Sequence, residues 1–475
     1  MNIQKITIKT IIHSLLCIVL FTAASCKKIL DLKPTDQLDE TDVFLSAQKL
    51  ESAVLGAYQG WYPEYLMRIG SVMADECRLG PRNSGVSASG QNLFRWTYSS
   101  ADEEILAPWK NAYQVIDRVN RLLNGLDKVP LKNEGDKAKL KQLKGELLAI
   151  RAYEHFDLYR LYGASGPYRA DAYAVPYMKT SSTSSQPSRP LTGAFFEAFW
   201  KDISEAESIM EDGSNIRMGL SAVYALHARA ALYTERYPEA VLFAGKVIEK
   251  FPLASLSDFE GIWKDQNNAE TIFKLKRNNV SSMRPGDLFY NIGAERILFA
   301  PALKLLDSYD HDEDVRYKSW FDTDPELITQ GDLAETIIKY KGTENAPNRN
   351  DVKLFRTGEM YLIRAEAALH NGDVSHSESD LNILRAARIE KYQVEHFNNA
   401  GTLKMAIEAE RCKELAYEGH RYFDLKRLNS PIQRAPEDAG KNFQELLPVA
   451  VNYYLPIPQA EVLANPNIRP NNPGW

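Results

Sequence analysis

The chain carries "ALHARAALYTERYPEAVLFAGKVIEKFP" at residues 225–252, a stretch whose small residues recur on a helical period. Ala228, Tyr237, Ala240, Ala244 and Val247 follow one another at intervals of nine, three, four and three. Steps of three and four keep residues on one face of a helix, and the step of nine crosses a turn near Arg236. A second stretch, "LIRAEAALHNGDVSHSESDLNILRAAR" at 362–388, repeats those intervals with Ala365, Val374, Ser377, Leu381 and Leu384, around a turn at Asn371-Gly372-Asp373. Small residues at fixed offsets let two antiparallel helices approach closely.

Each pair resembles a tetratricopeptide unit. Two units are fewer than the roughly three a free-standing solenoid needs, so the pairs near 219–252 and 352–389 are expected to pack against the rest of a single domain over 26–475. Helical stripes elsewhere agree. "PWKNAYQVIDRVNRLLNGLD" at 108–127 repeats Trp109, Tyr113, Ile116, Val119 and Leu123 behind Pro108, and "KQLKGELLAIRAYEHFDLYRLYG" runs from 141 to a stop at Gly163. A Gly/Ser/Pro-rich surface loop is expected as far as Pro190, before "PLTGAFFEAFWKDISEAESIM" resumes the helical period. Residues 253–350 read as irregular, and the proline-rich last 28 residues as extended coil laid on the body.

At the N-terminus, Lys5 and Lys9 precede an apolar stretch from Ile11 to Phe21, too short for a spanning helix, and then Ala23-Ala24-Ser25-Cys26. Residues 1–25 read as a lipoprotein signal peptide, with Cys26 as the acylated residue, although the lipobox position usually held by Leu is Ala23. Acyl chains on one cysteine tether a soluble domain without a membrane span. Removing two lysines and no acid moves the formal charge from −6 to −8, which argues against a nucleic-acid binder. Cys77 and Cys412 alone then remain, enough for neither a disulfide framework nor a metal site, with one bridge between them left open.

"ERCKELAYEGHRYFDLKRLN" at 410–429 gathers Glu418, His420, Arg421 and Asp424, the residue types of acid–base sites. In a continuous helix Arg421 would pair with Glu418 or Asp424, three positions away on either side. No phosphate loop, second histidine at metal spacing or nucleophile in a strained turn adjoins them, so the stretch reads as a polar network that orders helix packing. "DHDED" at 310–314 lacks the alternating ligands and glycine of an EF-hand and reads as a solvated charged turn. No metal or cofactor is implied.

The aromatics point further. Seven tryptophans, 24 tyrosines and 18 phenylalanines exceed what the helices need. Several fall in expected loops: Trp61, Tyr62, Tyr65, Trp96, Tyr98, Tyr290, Trp320 and Phe321. A sugar ring stacks its apolar face on Trp or Tyr while its hydroxyls meet Arg, Asn and Asp, so exposed loop rings suit a glycan platform.

"PWKNAYQVIDRVN", "LLAIRAYEHFDLYRLYG", "FRTGEMYLIRAEAALHNGD" with "LNILRAAR", "ERCKELAYEGHRYFDLKRL" and the ending "YYLPIPQAEVLANPNIRPNNPGW" together resemble the SusD/RagB outer-membrane lipoproteins of Bacteroidetes. The matches keep the family's order and run from "LDLKPTD" at 30 to Trp475, with the signature densest over 410–475. The resemblance implies an all-α fold, a SusD-like helical body with embedded tetratricopeptide-like pairs and long irregular loops. It implies no catalysis, and a surface role as the lid of a SusC-like TonB-dependent transporter that imports oligosaccharides or, in some members, peptides. It also implies that Glu414, Arg421 and Asp424 are structural. By position alone it points to Trp96, Tyr98, Tyr290 and Trp320 as ligand-stacking rings, with Arg78 as a polar partner. Lys27 and Lys28 depart from the acidic residues that often follow the lipid cysteine of surface-exported members. Two other readings remain, a lipid-tethered scaffold for protein partners and an all-helical glycoside hydrolase, the latter requiring a carboxylate pair that the sequence does not single out.

Overall fold

A computed structural model describes residues 40–83, 90–182, 184–278, 281 and 283–475. Cys26 and the segment 1–25 lie outside the described residues. Numbering helices of seven residues or more, the chain forms α1 (Ala47–Gln59), α2 (Glu64–Val72), α3 (Glu103–Gly125), α4 (Glu134–Tyr162), α5 (Thr192–Ile209) and α6 (Leu220–Tyr233). Then follow α7 (Tyr237–Ile248), α8 (Leu256–Trp263), α9 (Thr357–His370), α10 (Val374–Ala386), α11 (Ala400–Glu414) and α12 (Arg421–Arg427). The fold is all-α in class.

Helices adjacent in sequence pack in turn, α3 on α4, α4 on α5, α5 on α6 and α6 on α7. The row continues from α7 directly to α9, then to α10 and α11, although about a hundred residues separate α7 from α9. The two tetratricopeptide-like pairs, α6–α7 and α9–α10, thus stack on each other. Ala228, Ala240, Ala244 and Val247 are buried in the first pair, and Ala365, Ser377, Leu381 and Leu384 in the second. Gly372 holds φ +82° at the second turn, and Tyr237 stacks on His370 at 4.3 Å across the join.

Helix α4 departs from the one-stripe reading. Every residue from Gly145 to Tyr162 is buried, as in a helix covered on all sides. Arg151 is paired in burial, clamping Asp202 with two bonds of 2.7 Å, whereas Glu154 Oε1 has no hydrogen-bond partner among the described residues and burial pushes that carboxyl well above the usual range. Helix α3 begins at Glu103, ahead of Pro108, so that proline lies inside the helix and does not open it.

The loop after Gly163 is not confined to the surface. Ala174 and Val175 are buried, and Tyr177 stacks on the His155 ring at 3.8 Å. The C-terminal tail lies on the body with Tyr453, Leu455, Ile457 and Ile468 buried, but it includes a six-residue helix, Gln459–Ala464, between Pro458 and Pro466. A proline on each side of so short a helix is tolerated because neither interrupts its interior.

Among the described residues, six two-stranded antiparallel ribbons fill the irregular regions. Those around the site use β1 (Cys77–Leu79), β2 (Thr271–Leu275), β3 (Tyr290–Asn291), β4 (Arg296–Ile297) and β5 (Phe299–Pro301). After them come β6 (Phe321–Thr323), β7 (Glu335–Ile337), β8 (Gly342–Thr343), β9 (Ala346–Pro347) and β10 (Val352–Arg356). β1 pairs with β5, β2 with β10, β3 with β4, and β6 with β7. Cys77 and Cys412 are free thiols.

Candidate ligand cleft and the buried charge network

The 410–429 stretch is two helices, not one. Helix α11 ends at Glu414, and Tyr417 and Gly419 take φ +64° and +80° before α12 starts at Arg421. A Cβ on Gly70 of α2 would lie 2.6 Å from the Gly419 Cα, so two glycines let these segments touch.

The break redirects the charges. Arg421 does not meet Glu418 or Asp424; it clamps Asp75 with bonds of 2.7 and 2.9 Å. Asp424 accepts from Arg411 and Arg427, and Glu418 from Arg356 and Lys339. Glu414 receives three guanidiniums, from Arg316, Arg356 and Arg388 at 2.9–3.1 Å. Burial alone would raise the Glu414 pKa, yet those three cations hold it well below the usual carboxylate range. Asp314, last residue of "DHDED", is buried against Arg316 at 2.8 Å, so that turn is only partly solvated. With these carboxylates held by arginines and Lys339, the network locks packing; His420, buried beside it, keeps an Nδ1 with no hydrogen-bond partner among the described residues, and burial pushes its pKa well down.

Three of the expected ligand rings lie in the core. Trp320 is 0% exposed, set between Phe259, Trp263 and the Lys339 ammonium 3.6 Å from its ring centre. Trp96, 6% exposed, donates its indole N–H to the Met73 carbonyl and carries the Arg434 guanidinium at 4.1 Å. Tyr98, 2% exposed, donates its hydroxyl to the Asn452 carbonyl and stacks on Trp475. No face of these rings is open to a sugar in this structure. Trp61 and Phe321 are buried as well. Loop position suggested exposure, but large rings on short loops are drawn under by the apolar area they remove from water.

Arg78 is likewise buried. It bonds Pro301 O at 2.9 Å and Glu335 at 2.6 Å, tying β5 to β7. Its neighbour Arg82 reaches the Glu295 carbonyl at 3.0 Å and Asp332 at 3.3 Å, and Asp332 also accepts from Ile297 N. These bonds hold the β3–β4 hairpin against the loop that follows β6.

Tyr290, alone among the expected rings, opens onto a cleft of about 330 Å³ between β3–β4, β6–β7 and β8–β9. Phe289, Ile297 and Phe299 form an apolar floor, all buried. The Tyr290 ring is half-buried, and its hydroxyl has no hydrogen-bond partner among the described residues. Asn348 fixes the strand by donating to the Tyr290 carbonyl at 2.8 Å and to Asp287 at 2.9 Å. Asp322, Asp324, Thr336 and Lys341 stand on the rim. Sequence reasoning missed these four, because strands of two or three residues carry no readable period.

An apolar floor, one accessible ring and a rim of donors and acceptors suit a small polar ligand with an apolar face. Two family descriptions match the chain: "SusD family" over residues 336–475 and "Starch-binding associating with outer membrane" over 28–232. The chain belongs to the SusD/RagB family. It is 24% identical to SusD-like protein P2 of Formosa agariphila, over 96% of this chain and 98% of that one. Its fold matches a SusD superfamily protein from Bacteroides thetaiotaomicron with TM-score 0.80 and 23% identity, covering 90% of this chain and all of the other. It also matches a laminarin-binding SusD-like protein with TM-score 0.71 and 19% identity, covering 91% and 100%. Among the described residues no helix is long and apolar enough to cross a membrane.

Proposed function

We propose that the chain is an outer-membrane, lipid-anchored nutrient-binding protein that captures an oligosaccharide at the Tyr290 cleft without turning it over. In this reading Cys26 carries the lipid, and the bound saccharide passes to a SusC-like TonB-dependent transporter docked on the helical body. The cleft carries the proposal: a half-exposed ring over an apolar floor, ringed by Asp322, Asp324, Thr336 and Lys341, suits a sugar's apolar face and hydroxyls together. Membership of the SusD/RagB family supports it. Affinity electrophoresis against plant, host and microbial glycans tests it. The expected result is retardation on at least one neutral glycan that Tyr290→Ala abolishes while the protein stays folded. Retardation that survives Tyr290→Ala would move the site elsewhere, and retardation on none would favour a peptide ligand or a purely structural lid.

A further inference from the structure

A second cleft, of about 690 Å³, lies along the exposed face of α3 and is roughly twice the size of the Tyr290 cleft. Lys110, Gln114 and Arg118 line one wall at steps of four residues. The loop carrying Pro176 and Met178 and the short helix Gln459–Ala464 form the other.

Both carboxylates in this cleft are occupied. Asp117 holds Arg121 at 2.9 Å and the Ser181 hydroxyl at 2.5 Å, and Glu461 accepts the Trp109 indole N–H at 3.3 Å. The Tyr113 hydroxyl is engaged by the Pro176 carbonyl at 2.9 Å, which leaves its half-buried ring as an apolar wall beside Met178. Two cations remain. Lys110 has neither ion pair nor hydrogen bond among the described residues, and Arg118 reaches only the Gly56 carbonyl at 3.3 Å. Lys110, Arg118 and Arg121 against Asp117 and Glu461 leave the cleft one positive charge in excess on a chain of formal charge −6, whereas the rim of the Tyr290 cleft sets two aspartates against one lysine.

The spacing narrows the ligand. A rise of 1.5 Å per residue puts Lys110 and Arg118 about 12 Å apart along α3, too far for one small anion to bridge, with the Gln114 amide midway. We propose that the α3 cleft is a second saccharide subsite, selective for an oligosaccharide that bears anionic groups on separate units, with Lys110 and Arg118 each meeting one charge and Gln114 a hydroxyl between them. The proposal rests on the saccharide-binding reading above. Carboxylate and sulfate share the required chemistry.

Calorimetric titration of the purified protein with an oligogalacturonide, a sulfated carrageenan oligosaccharide, a neutral glucan oligosaccharide and inorganic sulfate separates the cases. At least one anionic oligosaccharide is expected to bind, more weakly as salt rises. Affinity should fall tenfold or more in the Lys110→Ala, Arg118→Ala double variant, with an unchanged Tm, and should hold in Tyr290→Ala. Which of the two anionic oligosaccharides binds identifies the anion. Inorganic sulfate binding as tightly as the oligosaccharide would overturn the spaced-charge arrangement, and unchanged affinity in the double variant would overturn the site. Neutral glucan binding lost in Tyr290→Ala, with no anionic oligosaccharide bound, would remove this subsite and leave the Tyr290 cleft standing. Failure of every saccharide to bind would remove both.

Discussion

The network around Glu414 and the cleft around Tyr290 draw on the same kinds of group, carboxylates and cations beside aromatic rings, and put them to opposite uses. In the network Glu270, Glu410 and Glu414 are fully buried, and Arg316, Arg356 and Arg388 meet them at 2.6–3.1 Å. In the cleft Asp322, Asp324 and Lys341 face solvent with no ion pair among the described residues, each aspartate accepting one local backbone N–H, and one ring is left half open. Chemistry-bearing residue types therefore do not mark a site; a site is where their hydrogen-bonding capacity is left unspent.

The largest effect expected from breaking this contrast is on the network. Glu414→Ala leaves three buried guanidiniums short of their shared carboxylate and should cost about 5 kcal/mol. Urea unfolding measures it, and a loss under about 1 kcal/mol would mean that the network does not hold the helices. Trp320→Ala follows, at about 3–5 kcal/mol from the cavity it opens. Its saccharide affinity per folded molecule should equal that of the native chain, since the ring is closed to ligand.

pH sharpens the contrast further. The Glu410, Glu414, Glu418 and Asp424 carboxyls are held low, so their contribution is complete above the unfolded carboxylate range near pH 4 and is lost as pH falls below it. Glu76 runs the other way. Burial pushes its carboxyl up to about 8, so its protonated form stabilises the fold below pH 4.5 and that contribution is lost as pH rises towards 8. Thermal melts from pH 5 to 8 should show Glu76→Gln, whose neutral amide does not titrate, gaining stability relative to the native chain as pH rises; a constant difference would place the Glu76 proton elsewhere. The smallest stability effect belongs to the cleft. Tyr290→Ala should change unfolding free energy by less than about 1 kcal/mol, while affinity falls tenfold or more. A larger stability loss would make Tyr290 a core residue like Trp320.

Much of the helical frame was legible. The intervals shared by 225–252 and 362–388 located both helix pairs and their turns, because a small residue every three or four positions has one helical interpretation. The structural reading of 410–429 also agrees with the network, but its pairs did not. Arg421 was expected to bond within its own helix and instead bonds Asp75, 346 positions away, because the turn at Tyr417–Gly419 swings α12 onto α2. Ring exposure was not legible either: Trp96, Tyr98, Trp320 and Tyr290 all fall in stretches that read as loop, yet of these four only Tyr290 reaches solvent beside a cleft.

The sequence by itself determined the long helices from α3 to α7, the repeat pairs, the acidic balance and the family, which rest on local spacing, composition or ordered motifs. Tertiary structure alone decided which charges pair, which rings are buried and where a cleft stays open. Those outcomes depend on contacts between residues hundreds of positions apart, and burial, unlike helical period, leaves no local trace along the chain.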